Sequence, residues 1–284
     1  MKIADILQQL ERIDRVVPLE GERYATCLAT YEAASDQRQR ILAWFAGDVV
    51  PGLSSERAAV LSVGCGAGEL DRELLAAGAE AVSEVSYVGI EPDTNQCQRF
   101  AASMGFADDE NVQVEAHNTS FEAFGEDRRF DVVLMVHSLY YMDDPCGAIA
   151  KALELVRDGG RLVILIASND RLNELSSSFW KLTSAGATWF SEDLSDHLSE
   201  LEVSFERKRI EATLDVTACC EPVSERGVRI ADFLAQVSTG ELPQPLRGMI
   251  YTYLDEASER VHEQRRLPHN VDAFTIDPAA PRSR

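Results

Sequence analysis

Long apolar runs are missing from this 284-residue chain, although 45% of its residues are hydrophobic. A helix that crosses a membrane needs roughly 20 apolar residues in succession, so we expect no membrane segment. The first residues, Met1 to Glu11, lack the basic and then apolar pattern of a secretory signal. Six cysteines are present without C-x-x-C spacing, which disfavours a zinc site and a disulfide framework. We therefore expect a reduced, cytoplasmic protein without a bound metal.

Positive charge is also scarce, since 27 Lys and Arg residues stand against 48 Asp and Glu residues, for a formal net charge of −21. Such a surface repels phosphate backbones, so nucleic acid is not an expected partner. A small molecule or a protein remains open as the partner. We expect a monomer or a homodimer.

The run from Val60 to Asp71 lacks one glycine of a known nucleotide-binding pattern. In this run a short apolar segment ends in Gly64, Gly66 and Gly68. Glycines at a strand-to-helix turn let a ligand approach the main chain closely. A dinucleotide fingerprint has a further glycine three places after Gly66, for the pyrophosphate, but Glu69 stands there. A carboxylate at this place disfavours a pyrophosphate and suits S-adenosylmethionine (SAM), which is cationic and has no phosphate. An ordinary tight turn and a dinucleotide-dependent oxidoreductase are the alternatives.

A second apolar run, Tyr87 to Ile90, ends in Glu91, about 20 residues after the glycines, where a carboxylate reaches the ribose hydroxyls of a nucleoside. Gln96 follows on the next helix and faces either the adenosine or the solvent. Thr119 and Ser120 follow a further strand, where a hydroxyl serves either adenine or a helix cap.

From Arg57 onward, strands and helices alternate, which predicts an α/β fold with a parallel sheet covered on both faces. We predict strands at 59–63, 85–90, 112–115, 131–136 and 161–166, and helices at 69–77, 93–104 and 145–157. Gly159 and Gly160 should break the chain before the last of these strands.

Both ends of the chain look more helical than the middle. We predict an N-terminal helical cap (1–55) and a cofactor-binding domain (56–284) with a helical lid insertion at about 217–264. Ser191 should cap a helix that ends near Leu201, and 203–216 should form one long strand. Residues 225–264 should be helical with a break at Pro243 and Pro245, and Ala273 to Ile276 should form a final strand.

The strand Phe130 to Val136 is followed at once by His137, with Tyr140 and Tyr141 shortly after it. An imidazole at a ligand-binding edge orients a nucleophile or takes its proton, although a lone histidine is often structural. We expect one tyrosine ring to pack in the core and the other to face a substrate.

The glycine run, the Glu91-Pro92-x-x-x-Gln96 element, the stretch from Asp131 through Tyr141, and Trp180-Lys181 resemble the histamine N-methyltransferase family. This resemblance, from about Tyr24 to Phe274, implies a Rossmann-like class I methyltransferase sheet. It implies SAM contacts by Gly64, Glu91, Gln96, Ser120 and Val136. It also implies substrate contacts at His137, where the family has a glutamine, at Asn270, and at Asp36 or Gln37, where the family has a glutamate.

We therefore expect methyl transfer from SAM, with S-adenosylhomocysteine (SAH) as product, to a small amine- or heterocycle-containing metabolite of secondary metabolism. N-methylation is favoured, and C-methylation of an indole-type natural product is the second option. His137 with Tyr24 or Tyr141 would be catalytic, and His137, Tyr140, Asn270, Asp36 and Gln37 would bind the acceptor. The alternatives are a SAM-binding regulatory protein without catalysis and a protein-directed methyltransferase.

Overall fold

The strands and helices predicted between residues 57 and 166 are present in a computed structural model of the chain. The structure describes residues 1–13, 16–79, 81–105, 111–125, 127–183, 189–221 and 224–278, and the side chains of these residues except 181–183. The chain divides into two compact units. The helical unit comprises Met1–Arg38, Ser168–Thr188 and Glu211–Val271, and the sheet unit comprises Gln39–Ala167, Trp189–Ile210 and Asp272–Arg284.

The elements are numbered in chain order. The helices are α1 (Ile3–Leu10), α2 (Gly21–Glu32), α3 (Gln37–Trp44), α4 (Glu69–Ala79), α5 (Thr94–Met104), α6 (Pro145–Leu155), α7 (Arg171–Thr183), α8 (Ser191–Glu200), α9 (Glu225–Ala235) and α10 (Gln244–Ala257). The strands are β1 (Arg57–Val63), β2 (Glu84–Ile90), β3 (Val112–His117), β4 (Phe130–Val136), β5 (Val156–Ala167), β6 (Phe205–Ile210), β7 (Thr213–Asp215), β8 (Glu259–Val261), β9 (Gln264–Pro268) and β10 (Val271–Ile276). Short turns of π or 3₁₀ helix lie between some of these elements.

The sheet unit is built on a seven-stranded sheet with the order β3-β2-β1-β4-β5-β10-β6. Strands β1 to β5 pair in parallel. After β1 the chain adds β2 and β3 on one side and then returns to place β4 on the other side. Open α/β sheets bind ligands at such a switch point, outside the carboxyl ends of the strands. The sheet therefore positions a ligand site at the ends of β1 and β4.

The apolar run of β4 explains its central place in the sheet. Phe130, Val132, Val133, Leu134 and Met135 are each at most 1% exposed, as expected for a parallel strand that is covered on both faces. The predicted glycine break is also present, but inside β5. Gly159 adopts a left-handed φ of 75°, and the pairing of β4 with β5 shifts register between Phe130 and Val132. Helix α6 ends at Leu155 instead of 157 because β5 begins at Val156.

Three predictions for the C-terminal half are wrong in detail. Residues 203–216 form two short strands in different sheets, β6 in the large sheet and β7 in a three-stranded sheet of order β7-β9-β8. Residues 259–264, the end of the predicted helical segment, belong instead to the antiparallel hairpin β8–β9. Ser191 is the first residue of α8 and not its cap, and its hydroxyl donates to Asp272. The final strand is confirmed as β10.

The helical unit has its own core, formed by residues of α1, α2, α7, α9 and α10 with the small sheet. Ile6, Leu175, Phe179, Ile230 and Ile250 are fully buried in it. Much of this unit is the chain between β6 and β10, which are neighbours in the large sheet. The predicted cap at 1–55, the domain at 56–284 and the lid at about 217–264 cut the chain at other points and remain predictions. Among the described residues, no helix is both long enough and apolar enough to cross a membrane.

Candidate active site

The turn between β1 and α4 is the glycine loop, Gly64 to Gly68. Gly64 and Gly68 have φ values of 71° and 78°, which side-chain-bearing residues rarely adopt. A Cβ on Gly64 would lie 2.6 Å from Ser138 Cβ, and one on Gly68 would lie 2.8 Å from the Phe100 ring. A Cβ on Gly66, in contrast, would meet nothing within 4 Å. The loop is thus packed on two sides and open at Gly66, where a ligand can approach the main chain.

Glu91 directly follows β2 and holds this loop. One carboxylate oxygen accepts the Gly66 N–H at 3.0 Å, and the other accepts the Asp93 N–H at 2.9 Å. Asn118, which follows β3, donates to the carbonyl oxygens of Glu91 and Pro92 at 3.0 and 2.9 Å. Glu91 is partly exposed, and each carboxylate oxygen keeps a further lone pair. It therefore stands where a ribose diol can bind it beside the glycines.

The other predicted cofactor residues lie at the carboxyl ends of β2, β3 and β4. Gln96 is in the first turn of α5, with its N–H on the Asp93 carboxylate and its side-chain oxygen 3.3 Å from Arg99. Ser120 accepts the Ala123 N–H at 3.3 Å in a turn that is not part of a helix, and its hydroxyl can still donate. Thr119 beside it and Val136, the last residue of β4, are both partly exposed.

Glu69 is paired with an arginine in the structure. The Glu69 carboxylate, which we expected to repel a pyrophosphate, accepts from Arg99 at 2.7 Å. The guanidinium offsets the carboxylate charge, so the charge at this position does not by itself distinguish SAM from a dinucleotide.

His137 begins the segment that follows β4. Its φ is 51°, in the left-handed region, and its N–H donates to the Leu165 carbonyl at 2.9 Å. Its Nδ1 lies 3.2 Å from Tyr140 Oη, and the two rings are nearly parallel at 18° with centroids 6.0 Å apart. Tyr140 Oη in turn accepts the Ala167 N–H at 2.5 Å. Burial lowers the pKa of His137 from 6.5 to about 4, so the imidazole is neutral near pH 7.

The two tyrosines differ in exposure. Tyr140 is partly buried in the hydrogen bonds just described and packs against the core of the sheet unit, whereas Tyr141 is 64% exposed. Their rings meet edge to face, 6.2 Å apart. Tyr141 thus presents an aromatic surface to the solvent beside Tyr140 and His137.

Ser138 is a residue that the sequence analysis missed. It is 5% exposed, and its hydroxyl has no hydrogen-bond partner among the residues that the structure describes. The hydroxyl oxygen lies 3.5 Å from the point where a Gly64 Cβ would stand. A serine in a turn has no motif that would mark it, so only the structure reveals this orphaned group.

Three predicted acceptor-binding residues come together inside the helical unit. Asp36 accepts the Thr213 N–H at 2.6 Å, Asn270 Oδ1 accepts the Ala212 N–H at 3.2 Å, and the Gln37 amide donates to the His269 carbonyl at 2.8 Å. These bonds fasten the α2–α3 turn to the chain around β7 and to the segment between β9 and β10.

The His269 ring completes this cluster, 2.6 Å from Tyr31 Oη and 2.7 Å from Ser35 Oγ. Tyr24 lies two turns earlier on α2 and packs against Phe233 of α9 with centroids 5.8 Å apart. The side chain of Lys181, quoted with Trp180 for the family resemblance, lies outside the described side chains.

The donor set of the sheet unit fits an adenosine cofactor. An open main-chain approach at Gly66, a carboxylate at Glu91 and an unsatisfied hydroxyl at Ser138 suit a nucleoside with a polar tail. In the described part of the chain, no three His, Cys, Asp or Glu residues are grouped to hold a metal.

Comparisons with known proteins agree with this geometry. Residues 29–202 match the model of a family described as a methyltransferase domain. Histamine N-methyltransferase from Danio rerio is 21% identical over 241 residues, which span 77% of this chain and 81% of that protein. Histamine N-methyltransferase A from Xenopus laevis is 25% identical over 62% of this chain and 65% of its own length. A ubiquinone biosynthesis O-methyltransferase from Cereibacter sphaeroides is 28% identical over 53% of this chain and 56% of its own length.

Solved structures show the same fold at low identity. The plantazolicin methyltransferase BpumL in complex with SAH is 12% identical, with a TM-score of 0.52 over 97% of this chain and 98% of that chain. The YcgJ protein from Bacillus subtilis is 14% identical, with a TM-score of 0.53 over 83% of this chain and 98% of that chain. The predicted Rossmann-like class I methyltransferase fold is confirmed.

Proposed function

Because the chain belongs to the methyltransferase domain family, we propose that it methylates a small metabolite that contains an amine or an aromatic heterocycle, with nitrogen as the favoured acceptor atom. The methyl donor is SAM, and the second product is SAH. One observation carries the proposal. The glycine loop is held by Glu91 on one side and contacted by Ser138 on the other, and the neutral His137 directly precedes Ser138.

The cofactor residues have distinct roles in this proposal. Gly64, Gly66 and Gly68 give the close approach, and Glu91 accepts from the ribose hydroxyls with the lone pairs that its two backbone donors leave. Gln96, Thr119, Ser120 and Val136 line the adenosine in this proposal, because β2, β3 and β4 end at the same sheet edge and α5 begins there.

His137 orients the acceptor in this proposal. When bound, SAM supplies an electrophilic methyl group that a lone pair attacks. A nitrogen acceptor already has that lone pair, so the protein has to position it and exclude water. Carbon attack needs a base to remove a proton, and an imidazole with a pKa of about 4 is a weak base near neutral pH. The low pKa of His137 therefore supports nitrogen over carbon.

The exposed ring of Tyr141 provides a face for an aromatic or cationic acceptor. Tyr24 keeps its predicted catalytic role in this proposal. Of the predicted catalytic set, His137 and Tyr141 belong to the sheet unit.

The acceptor residues of the helical unit are Asn270 and, between the two candidates for the amine contact, Asp36. Asn270 Oδ1 is held by a backbone N–H, so its amide nitrogen is the group that can donate to the acceptor. Asp36 carries the negative charge that an ammonium group requires, whereas the Gln37 amide is 7% exposed and bonded to His269.

Calorimetric titration with SAH, SAM and NAD tests the cofactor, and transfer of radiolabelled methyl from SAM to imidazole, indole and alkyl amines tests the reaction. Gly64→Ala should abolish SAH binding, since its Cβ would strike Ser138 in a left-handed backbone. Gly47→Ala is the matched control, because a Cβ there meets nothing within 4 Å.

Binding of NAD without SAH would contradict the proposal. Binding of SAH without transfer to any amine or heterocycle would favour the regulatory alternative, and methylation of proteins would favour the protein-directed one.

A further inference from the structure

Ser138 is 5% exposed. Its buried hydroxyl has no hydrogen-bond partner among the described residues. A buried hydroxyl normally finds a partner, because an unpaired one loses its bonds to water without replacement. Capping is the usual reason for a serine at this place. Ser138 is the residue before the 3₁₀ turn Leu139–Tyr141, yet its side chain makes no capping bond there.

The position of this hydroxyl relative to the glycine loop suggests what it binds. Ser138 Oγ lies 3.5 Å from the point where a Gly64 Cβ would stand. The Gly64 N–H is already bonded to the Ile90 carbonyl at 2.8 Å, so that N–H does not serve Ser138. A ligand bound beside the glycine loop can supply the missing partner.

The strand order indicates which part of the cofactor lies nearest to the Ser138 hydroxyl. Strands β2 and β4 flank β1 on opposite sides, so Glu91 after β2 and Ser138 after β4 stand on opposite sides of the glycine loop. A ribose at Glu91 directs the rest of the nucleoside, its sulfur and its amino-acid tail, across the loop toward β4. A hydroxyl both donates and accepts, which suits an ammonium and a carboxylate equally.

We propose that Ser138 is a cofactor-binding residue whose hydroxyl hydrogen-bonds the amino-acid tail of SAM and SAH. This inference rests on the proposed function. None of the described residues holds the hydroxyl in its present rotamer by a hydrogen bond, so rotation about its one side-chain torsion can turn it toward the tail.

The experiment compares two ligands on Ser138→Ala by calorimetry. SAH has the amino-acid tail, and 5′-methylthioadenosine has the same adenosine and thioether without it. The variant should bind SAH about tenfold more weakly, as the loss of one hydrogen bond to a charged group predicts, and should bind methylthioadenosine as the wild type does. Its melting temperature without ligand should stay or rise, because the unpaired hydroxyl is gone.

Ser178→Ala is the matched control. Ser178 is also a buried serine, 6% exposed, but its hydroxyl donates to the Glu174 carbonyl at 2.6 Å within the helical unit. This variant should melt at a lower temperature and bind SAH normally, the reverse of Ser138→Ala.

Unchanged SAH affinity in Ser138→Ala would overturn the inference, and so would an equal loss for both ligands, which would indicate a distorted loop. If Ser138→Ala does not fold, Ser138→Cys provides the same comparison, because a thiol is a weak donor and acceptor of similar shape. Failure of the wild type to bind SAH would instead refute the proposed function.

Discussion

The neutral state of His137 can be tested before any acceptor is known. His137 follows the buried strand β4, and burial lowers the pKa of its imidazole from 6.5 to about 4. His137→Gln removes the titrating ring and keeps a polar side chain of similar length. The left-handed backbone at this residue strains the variant equally at every pH, so a comparison between two pH values cancels that strain.

The sign follows from proton binding in the two states. The unfolded chain takes up a proton on His137 near pH 6.5, whereas the folded protein takes it up only near pH 4. Between these values the unfolded state binds more protons, so the free energy of unfolding decreases as the pH falls. From about pH 7 to about pH 5 the decrease due to His137 is about 2 kcal/mol. This is an upper value, because the ring keeps some contact with solvent.

Urea unfolding at the two pH values measures this difference. The wild type should lose up to about 2 kcal/mol more than His137→Gln between about pH 7 and about pH 5, with the same dependence on urea concentration in both proteins. Equal losses in the two proteins would refute the buried, neutral imidazole. A greater loss in the variant would reverse the sign and refute it as well.

The same variant separates two roles of His137 in the reaction. An orienting residue that is already neutral should give a kcat within about tenfold of wild type when glutamine replaces it, mainly through KM. A general base should cost roughly 10²- to 10⁴-fold in kcat. The larger loss would contradict the orienting role.

The remaining predictions concern three further side chains. Glu91→Gln should weaken SAH binding by about tenfold in calorimetry, because the amide loses the charged acceptor of the ribose hydroxyls. Tyr140→Phe should lower the melting temperature and kcat but keep the SAH affinity, because it leaves the Ala167 N–H unpaired. Asp272→Asn should lower the free energy of unfolding, measured in urea, by about 3 kcal/mol, since this 1% exposed carboxylate binds two arginines. The control Asp48→Asn, at an exposed ion pair, should lower it by less than about 1 kcal/mol. Burial raises the pKa of the Asp272 carboxyl, but its hydrogen bonds to the two arginines and Ser191 lower it by more, so the net shift is downward. The stability that the ionised carboxylate contributes should therefore be lost only as the pH falls below the ordinary aspartate pKa of 3.8.

The large sheet was predictable because its central strands are mostly apolar. Phe130 to Met135 are buried without interruption, and such a run needs no alternation to be recognised. The glycine loop was equally clear, because the φ values of Gly64 and Gly68 require the residue type that the sequence displays.

The C-terminal half was harder to predict, because its turns lack the usual residues. The hairpin β8–β9 turns at His262 and Glu263, and His262 adopts a φ of 57°. Two-residue hairpin turns normally carry glycine or asparagine at such positions, so the segment had no turn signal and was predicted as a helix. Strands β6 and β7 were predicted as one for a related reason, since Glu211 and Ala212 between them carry no breaking residue.

Within the candidate site, the sequence identified positions but not partners. The glycine loop and Glu91 were predicted at one edge, and the structure joins them through the Gly66 N–H. The pairing of Glu69 with Arg99 depends on the packing of α4 against α5, which spacing along the chain does not reveal. Ser138 was missed because its significance is an absent partner, which only three-dimensional contacts can show.

The proposed preference for nitrogen as the acceptor atom derives from the packing of β4. A strand covered on both faces carries its desolvated environment to its last residues, so the imidazole that follows it resists protonation. Tyr140 Oη holds the His137 ring through Nδ1. The Leu165 carbonyl holds the main chain of His137 by accepting its N–H. A ring that is neutral, held in place and weakly basic is suited to orient a lone pair and poorly suited to remove a proton from carbon. The buried strand therefore supports N-methylation over C-methylation by the same physical effect that makes it the centre of the sheet.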